Sequence, residues 1–433
     1  MSSKELWRTL SESHRATHVP NTEPIAAEPE DPRIEFPNQP AKLKFIEGLR
    51  GLAALYVALG HLCTMVDPAK FTGRHDGSTE AMRRFVSCFG YGHLAVAIFI
   101  VISGFSLQLS LFTSGDGTLK DLKRFYMRRV RRILPTYYAC LAFSIAVALL
   151  FTGSLAKRYG DPFGWYLPVN LTTVSVHLLL IQNWSKGWMY TINGVLWSIA
   201  IEAQLYVVFP AIVRGLNRIG RTVVLCAATI AAVAALNLFS EASKLYVWYL
   251  PLFVTGMVAA HLAYRPHLRY GVVPGLALVL GGVLSLAGIR SCIQGVHLPA
   301  QDGLFGVATA CALYAMTVMP QLLMARALSA RLLTFVGGFS YSLYLMHHPI
   351  EQAMFWLKPV SVHGKYALLY QFGVSLPVVM IGTWLFSLVF EKPFIPSASR
   401  SKRTASDDPS VEHSVREFKS GIVVKDEPLR KLV

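Results

Sequence analysis

Charged residues are scarce in this sequence. Only 15% of its 433 residues are Asp, Glu, Lys or Arg, whereas 53% are hydrophobic, and the mean hydropathy is +0.43. An ordinary soluble enzyme of this length needs more polar surface, so that class is excluded. The composition predicts a polytopic membrane protein whose principal environment is a lipid bilayer.

Paired cysteine motifs are also absent. The six cysteines form no CxxC pair, and most of them fall in apolar runs. We therefore expect no disulfide framework, no metal site and no permanently bound cofactor. The cysteines are interpreted as small buried hydrophobic side chains.

The positive charge does not indicate nucleic-acid binding. The formal net charge is +16, but the basic residues stand in short clusters between apolar runs and not on one polar domain. Clusters of this kind are typical of membrane topology signals, so nucleic acid is excluded as a partner.

Both ends of the chain lack hydrophobic periodicity. The first 40 residues are polar and contain no apolar core that could serve as a signal peptide, and the chain becomes charged again from about Pro396. We predict disordered tails over 1–40 and 396–433, flanking a membrane domain over 41–395.

Between the tails, the apolar runs predict an all-α bundle of about ten transmembrane helices, each able to cross roughly 30 Å of hydrocarbon. With a cytoplasmic N-terminus, nearly every short basic loop falls on the cytoplasmic side, which also makes the C-terminal tail cytoplasmic. The predicted spans are 45–65, 91–112, 133–152, 193–213, 222–240, 246–264, 272–289, 303–323, 333–356 and 367–390.

One apolar piece, 165–181, is left out of this count because an extra span would move the later basic loops outside. It is interpreted as interfacial or re-entrant. Two glycosylation sequons, at Asn170 and Asn183, lie on the predicted outer side.

The first span carries two ionisable residues, Arg50 and His61. On an α-helix, eleven residues make about three turns, so both side chains share a face roughly 16 Å apart. This arrangement suits a cation near one membrane surface and a titratable imidazole deep inside. A guanidinium that reaches the interface, together with a hydrogen-bonded histidine, is the structural alternative.

Four arginines stand just before the third span, at positions 128, 129, 131 and 132. They either anchor the helix to lipid head groups or clamp the phosphates of a cytosolic nucleotide-containing donor. Glu202, some eight residues into the fourth span, is a functional candidate because an unpaired carboxylate there is costly; a structural salt bridge is the alternative. The pair Ser103-Gly104 in the second span favours close helix packing.

These pieces together resemble the acyltransferase family 3 membrane proteins, which O-acetylate sugars, cell-wall polymers and small natural products. The resemblance covers about Phe45 to Phe394 and is closest to stand-alone members, which include fungal ones, because no hydrolase-like domain follows the last span. It rests on six ordered motifs: the Arg50 to His61 spacing, the Ser103-Gly104-Phe105 run, Arg129-x-x-Arg132-Ile-x-Pro135, Trp197-Ser-x-x-x-Glu202, Ser340-Tyr-Ser-Leu-Tyr344-Leu-x-His347 and Glu391-x-Pro393.

The resemblance implies a membrane-bound O-acyltransferase that uses an acyl-CoA, most simply acetyl-CoA, as cosubstrate. It implies that His61 is catalytic, and His61 would act as a base or as the acyl acceptor. The depth of Glu202 in the membrane and its motif suggest that it orients or charge-stabilises the imidazole. The expected acyl-CoA-binding residues are Arg50, Arg128, Arg129, Arg131 and Arg132, and the expected acceptor cavity is lined by Ser103, Trp197, Tyr344 and His347.

The acceptor is expected to be a hydroxyl of a small metabolite, terpenoid-like or polyketide-like, or of a glycan, with a preference for a small hydrophobic alcohol because the outer loops are short. The expected location is an endomembrane, such as the endoplasmic reticulum, or the plasma membrane. Rival hypotheses are a proton-coupled secondary transporter, a membrane scaffold and a membrane glycosyltransferase.

Overall fold

The structure is a computed structural model. It describes residues 43–66, 80–113, 115, 117–152, 169–243, 245–264, 272–359, 361–362 and 364–395. Both predicted disordered tails lie outside the described residues.

Every regular element in this part of the chain is helical, which agrees with the all-α prediction. The helices, in chain order, are α1 Lys44–Val66, α2 Glu80–Ser87, α3 Gly92–Thr113, α4 Leu122–Thr152, α5 Leu171–Leu178, α6 Lys186–Met189, α7 Trp197–Arg218, α8 Arg221–Leu238, α9 Tyr249–Ala263, α10 Val273–Ile293, α11 Leu298–Val318, α12 Leu323–Leu328, α13 Arg331–Gly337, α14 Ser340–Leu357, α15 Lys365–Tyr370 and α16 Leu376–Phe390. One turn of π-helix, Gln371–Ser375, joins α15 to α16.

Seven helical stretches of the described residues are long and apolar enough to cross a membrane. They are Lys44–Val66, Glu80–Thr113, Leu122–Leu150, Trp197–Arg218, Arg221–Leu238, Val273–Ile293 and Lys365–Phe394. The protein is therefore an integral membrane protein by length and composition of its helices.

The other three predicted spans coincide with α9, α11 and the α13–α14 pair. Helix α9 has only 15 residues, while α11 and α14 carry buried polar side chains, among them Asp302 and Glu351. Their length or composition alone does not identify them as spans, so the count of ten stays a prediction.

Helix α1 lies inside the bundle, packed against α3, α12, α13 and α14. Its buried residues are mostly small, including Ala54 and Ala58, neither of which has exposed surface. Small side chains let neighbouring backbones approach closely, which is how membrane helices associate in the absence of a hydrophobic driving force.

Helices α3 and α9 cross at a pair of glycines. A Cβ built on Gly104 would lie 2.1 Å from the carbonyl oxygen of Phe253, and one built on Gly256 would lie 2.1 Å from that of Val101. The packing role predicted for the Ser103-Gly104 pair thus has a structural basis, because no side chain fits between these backbones.

The segment after α4 does not cross the bundle within its described part, which begins at residue 169. Helix α5 has eight residues, about 12 Å, and the elements that follow it are shorter. The hydroxyls of Tyr137 and Tyr138 donate to the carbonyls of His177 and Leu178, at 3.0 and 2.9 Å. A segment folded back onto α4 in this way agrees with the interfacial or re-entrant interpretation of 165–181.

The close crossing of α3 and α9 predicts that a methyl group added at Gly104 destabilises the protein. Gly104→Ala is expected to lower the unfolding free energy by about 1–3 kcal/mol because the methyl overpacks the contact. Gly282→Ala, on α10, is the matched control, since no atom lies within 4 Å of its built Cβ. Thermal unfolding of the detergent-solubilised protein measures both; equal transition temperatures for the two variants would contradict the close crossing.

Candidate functional site

Arg50 and His61 lie on the same unbroken helix, α1. Their separation along it is therefore about 16 Å, as the helical spacing predicted. Both side chains are partly buried. Each of them is the start of a separate polar cluster, and the residues that complete each cluster come from distant parts of the chain.

His61 pairs with His347 of α14. Nδ1 of His61 lies 3.1 Å from Nε2 of His347 and 3.1 Å from the carbonyl oxygen of Val57, and Nδ1 of His347 lies 2.9 Å from the carbonyl oxygen of Leu343. The ring of His348 meets that of His61 edge-on, with centroids 5.1 Å apart. The structure thus brings the predicted catalytic residue together with one predicted cavity residue, His347.

These contacts define the hydrogen positions. A carbonyl oxygen only accepts, so Nδ1 of His347 must donate to Leu343, and in the neutral ring Nε2 is then an acceptor. Nδ1 of His61 accordingly donates to His347 and Val57. The lone pair of the His61 ring is therefore on Nε2, and no described residue forms a hydrogen bond with that nitrogen. That nitrogen can accept a proton or an acyl group.

The four arginines of α4 divide into two pairs. Arg129 and Arg132 are partly buried, whereas Arg128 and Arg131 are exposed. The guanidinium of Arg129 lies over the rings of Phe125 and Tyr206, with Cζ 5.7 and 5.8 Å from their centroids. Residues three apart on a helix share a face, which explains why the pair at 129 and 132 turns inward together.

Arg50 joins the inward pair. Its electrostatic neighbours include Arg129, Arg132, Tyr206 and Glu202. Three cations so close together repel one another unless anions compensate them, and an anionic ligand would be attracted to the same place.

Glu202 supplies one compensating charge. Its Oε1 accepts hydrogen bonds from the hydroxyls of Ser103, at 3.0 Å, and Tyr206, and these two hydroxyls lie 2.8 Å from each other. No hydrogen bond of the described residues joins it to His61. Its hydrogen bonds and its electrostatic contact with Arg50 place Glu202 at the arginine end of α1. Its predicted action on the imidazole stays a prediction, whereas His347 contacts His61 directly.

A second carboxylate, Glu391, was not predicted to belong to the site. It is 7% exposed and accepts hydrogen bonds from the backbone N–H of Ser342, at 3.1 Å, and from its hydroxyl. Arg50 and Arg132 are among its electrostatic neighbours. The sequence signal for this contact was the pair of motifs that contain Ser342 and Glu391.

The predicted acceptor cavity is only partly assembled. The ring of Tyr344 lies 6.0 Å from that of His347, and its hydroxyl is 2.6 Å from that of Ser198. Trp197 instead stacks on Tyr246, with centroids 4.2 Å apart. Ser103 belongs with Glu202, as described above, because it lies on the face of α3 that meets α7.

Another buried carboxylate escaped the sequence reasoning. Asp302 has no exposed surface, and its two oxygens accept from Nδ1 of His93, at 2.7 Å, and Nε1 of Trp248, at 2.8 Å. These bonds tie α3, α11 and the start of α9 together.

The two sequons differ in their surroundings. Asn170 caps α5 and its side chain accepts from the backbone of Thr173, at 2.9 Å. Asn183 is fully buried and exchanges two hydrogen bonds with Gln204, at 2.8 and 3.3 Å. A glycan on Asn183 would require this pair to break, so we no longer expect one there, while Asn170 stays a prediction.

Metal-ligating side chains do not converge in the described part of the chain: no group of three or more His, Cys, Asp or Glu is placed to hold an ion. All six cysteines are free thiols. Only Cys63 and Cys140 are buried, which corrects the expectation that the cysteines are buried side chains.

The fold and site together define an integral membrane protein with a cluster of arginines and a histidine pair within its helix bundle. A family model described as an acyltransferase domain, Acyl_transf_3, matches residues 43–390. The chain therefore belongs to this acyltransferase family, and the predicted family resemblance is confirmed.

Curated relatives match at moderate identity. The chain is 25% identical over 342 residues to the O-acetyltransferase OatA of Staphylococcus aureus, covering 73% of this chain and 52% of the relative. It is 25% identical to the peptidoglycan O-acetyltransferase OatA of Listeria monocytogenes (60% and 45% covered) and to the putative peptidoglycan O-acetyltransferase YrhL of Bacillus subtilis (60% and 44%). The chain thus spans about half the length of these relatives. No solved structure matches it.

Because Asp302 is fully buried, replacing its carboxylate by an amide is expected to destabilise the protein. Asp302→Asn places an NH₂ group opposite a donor and should lower the unfolding free energy by about 2 kcal/mol. Glu80→Gln is the control, because Glu80 also has two partners, Arg83 and Arg84, but is 61% exposed. Exposed pairs contribute at most about 1 kcal/mol. A thermal transition lowered equally in both variants would contradict the role of burial.

Proposed function

We propose that the protein is a membrane O-acetyltransferase that transfers the acetyl group of acetyl-CoA to a hydroxyl of a glycan, with Nε2 of His61 as the reacting nitrogen. The observation that carries the proposal is the His61–His347 pair, which leaves that nitrogen with a lone pair inside the bundle. Family membership and the names of the relatives support the reaction class.

As a general base, His61 takes the proton of the acceptor hydroxyl through Nε2 while the hydroxyl oxygen bonds to the acetyl carbonyl carbon. The carbon–sulfur bond of the thioester then breaks, and the imidazolium returns the proton to the CoA sulfur. The same nitrogen could instead hold the acetyl group between two displacements. In either course His347 acts as a positioning residue, since its Nε2 accepts the hydrogen bond from Nδ1–H of His61.

The donor is proposed to enter at the arginine end of α1. The guanidinium groups there, those of Arg50, Arg129 and Arg132, suit phosphate oxygens. When no ligand is bound, the negative charges of Glu202 and Glu391 offset the repulsion between these three cations. The pantetheine arm of acetyl-CoA would then cover the distance of about 16 Å to His61. The exposed Arg128 and Arg131 are left for lipid head groups.

A glycan replaces the small hydrophobic alcohol as the preferred acceptor. Two of the relatives are named for peptidoglycan, a glycan-containing polymer, and this similarity outweighs the shortness of the outer loops on which the earlier preference rested. A small metabolite with several hydroxyls would present the same chemistry.

The proposed topology keeps ten spans with both tails in the cytoplasm. Helices α9, α11 and α14 pack along long apolar helices of the bundle, and their polar side chains are buried, as expected of spans that face the interior and not lipid. A cytoplasmic arginine end would face the pool of acetyl-CoA, in an endomembrane or the plasma membrane.

His61→Ala should lower acetyl transfer by about 10²–10⁴-fold, the usual contribution of a general base, and by more if the acetyl group is carried on the ring. Incorporation of labelled acetyl from acetyl-CoA by membranes containing the protein measures it. His297→Ala is the control, since this histidine is exposed in the loop before α11. Full transfer by His61→Ala would refute the assignment, and acetyl-CoA-dependent uptake of a solute with no acetylated product would favour a transporter.

The double variant Arg129→Ala/Arg132→Ala should raise the KM for acetyl-CoA about tenfold or more, because two charge-assisted contacts to phosphate are lost. Its matched control is Arg128→Ala/Arg131→Ala on the exposed face of the same turn, which should change the KM less than twofold. Equal effects of the two double variants would indicate a membrane anchor and not a donor clamp.

A further inference from the structure

A cavity of about 360 Å³ opens where the end of α7, the start of α8 and the end of α9 meet. Ligand pockets in proteins commonly measure about 300–1,000 Å³, so this space suits a small molecule or a head group. It shares no described residue with the arginine cluster or with the histidine pair. The described residues that line it are Leu216, Ile219, Gly220, Arg221, Thr222, Val223 and His261.

The polar part of this lining is basic. Arg221 supplies a guanidinium, His261 an imidazole and Thr222 a hydroxyl, and no acidic side chain is among the described residues that line the cavity. All three groups can donate hydrogen bonds. A concave site with one sign of charge attracts the opposite ion, and a planar guanidinium matches the oxygens of a phosphate. The lining therefore selects an anion, and phosphate suits it best.

The fold holds both basic side chains in place. Arg221 and His261 are partly buried. The ring of His261 meets that of Phe112 edge-on, with centroids 4.9 Å apart, and Phe112 in turn stacks on Tyr264 at 4.6 Å. Groups that are fixed before a ligand arrives lose less conformational entropy when it binds.

The first turn of α8 adds to this positive field. Gly220 precedes the helix with a φ of +92°, a conformation that favours glycine, and no atom lies within 4 Å of a Cβ built on it. No side chain of this residue caps the helix. The positive end of the helix dipole thus lies beside the guanidinium and the imidazole that give the cavity its charge.

The cavity stands at the edge of the lipid-facing surface. Ile219 and Val223, two of its lining residues, are 58% and 53% exposed. Helix α8, which begins here, is a candidate membrane span in which only Ala228 and Ala232 are buried. Its exposed apolar surface faces lipid, and the cavity lies where that surface begins, at the level of the head groups.

We propose that this cavity binds the phosphate of an anionic phospholipid whose acyl chains lie along α8. The basic lining selects the head group, and the apolar surface beside it selects a molecule that also has long apolar chains, which a free phosphate lacks. A zwitterionic head group would bring an ammonium, for which the described lining offers no carboxylate.

The proposed topology agrees with this ligand. It places the connection between α7 and α8 on the cytoplasmic side, where Arg214 and Arg218 are exposed on the last turns of α7. Anionic phospholipids are concentrated in the cytoplasmic leaflet, and basic pockets between membrane helices on that side bind their head groups. The lipid site is independent of the proposed acetyl transfer.

The test uses the full chain purified in detergent, with phosphatidylglycerol as the probe. Phosphatidylcholine with the same acyl chains is the zwitterionic comparison, and glycerol 3-phosphate is the comparison without chains. Native mass spectrometry gives the apparent affinity for each. The expected result is that phosphatidylglycerol binds about tenfold or more tightly than either comparison.

Arg221→Ala should lower the apparent affinity for phosphatidylglycerol about tenfold, because a charge-assisted contact to phosphate is lost. Arg218→Ala is the matched control, since this arginine is exposed and does not line the cavity. It should change the affinity less than threefold, because solvent ions screen its charge.

Thr222→Glu tests the same site without loss of a buried contact. Thr222 is exposed, and a carboxylate in the first turn of a helix stabilises that helix, so this variant is expected to fold. Its charge should repel phosphate and lower the affinity about tenfold or more. Thr222→Gln, which has the same size without the charge, should lower it less than threefold.

Three results would overturn the proposal. Equal affinities for phosphatidylglycerol and phosphatidylcholine would mean that the site does not select an anionic lipid. Equal affinities for phosphatidylglycerol and glycerol 3-phosphate would identify a site for a free phosphate compound. Wild-type affinity in both Arg221→Ala and Thr222→Glu would place the lipid elsewhere, for example at Arg128 and Arg131.

Discussion

The compensation of charge inside an apolar helix bundle is the constraint on which this structure depends. Arg50, Arg129 and Arg132 are brought close together in a medium where an unpaired charge is very unfavourable. Glu202 and Glu391 lie beside them, and each carboxylate is held by hydroxyl or backbone donors. The net charge of these five residues stays positive, which suits a cluster that retains an anionic ligand.

Close helix packing makes this arrangement possible. Helices α3 and α9 meet backbone to backbone at Gly104 and Gly256, and the neighbouring residue of α3, Ser103, is thereby held against Glu202 of α7. A bundle with wider crossings would admit water between these groups, and the water would weaken the electrostatic interactions that position them. The two glycines thus fix the distance between helices, and this distance sets the position of Glu202.

Helix α14 connects the chemistry from end to end. Ser342 binds the carboxylate of Glu391 beside the arginines, His347 orients His61 further along, and Glu351 lies one turn beyond it. Together with α1, this helix runs from the proposed donor end to the proposed acceptor end. Its polar residues explain why its composition is less apolar than that of the other long helices.

The sequence by itself determined the membrane class, the family and the spacing of Arg50 and His61, because these follow from composition, motif order and the rise of a single helix. Only the tertiary structure decided that His347, and not Glu202, pairs with His61, and that Asn183 is buried. Such contacts join residues up to 286 positions apart, and the packing register of separate helices fixes them. Local periodicity carries no record of that register.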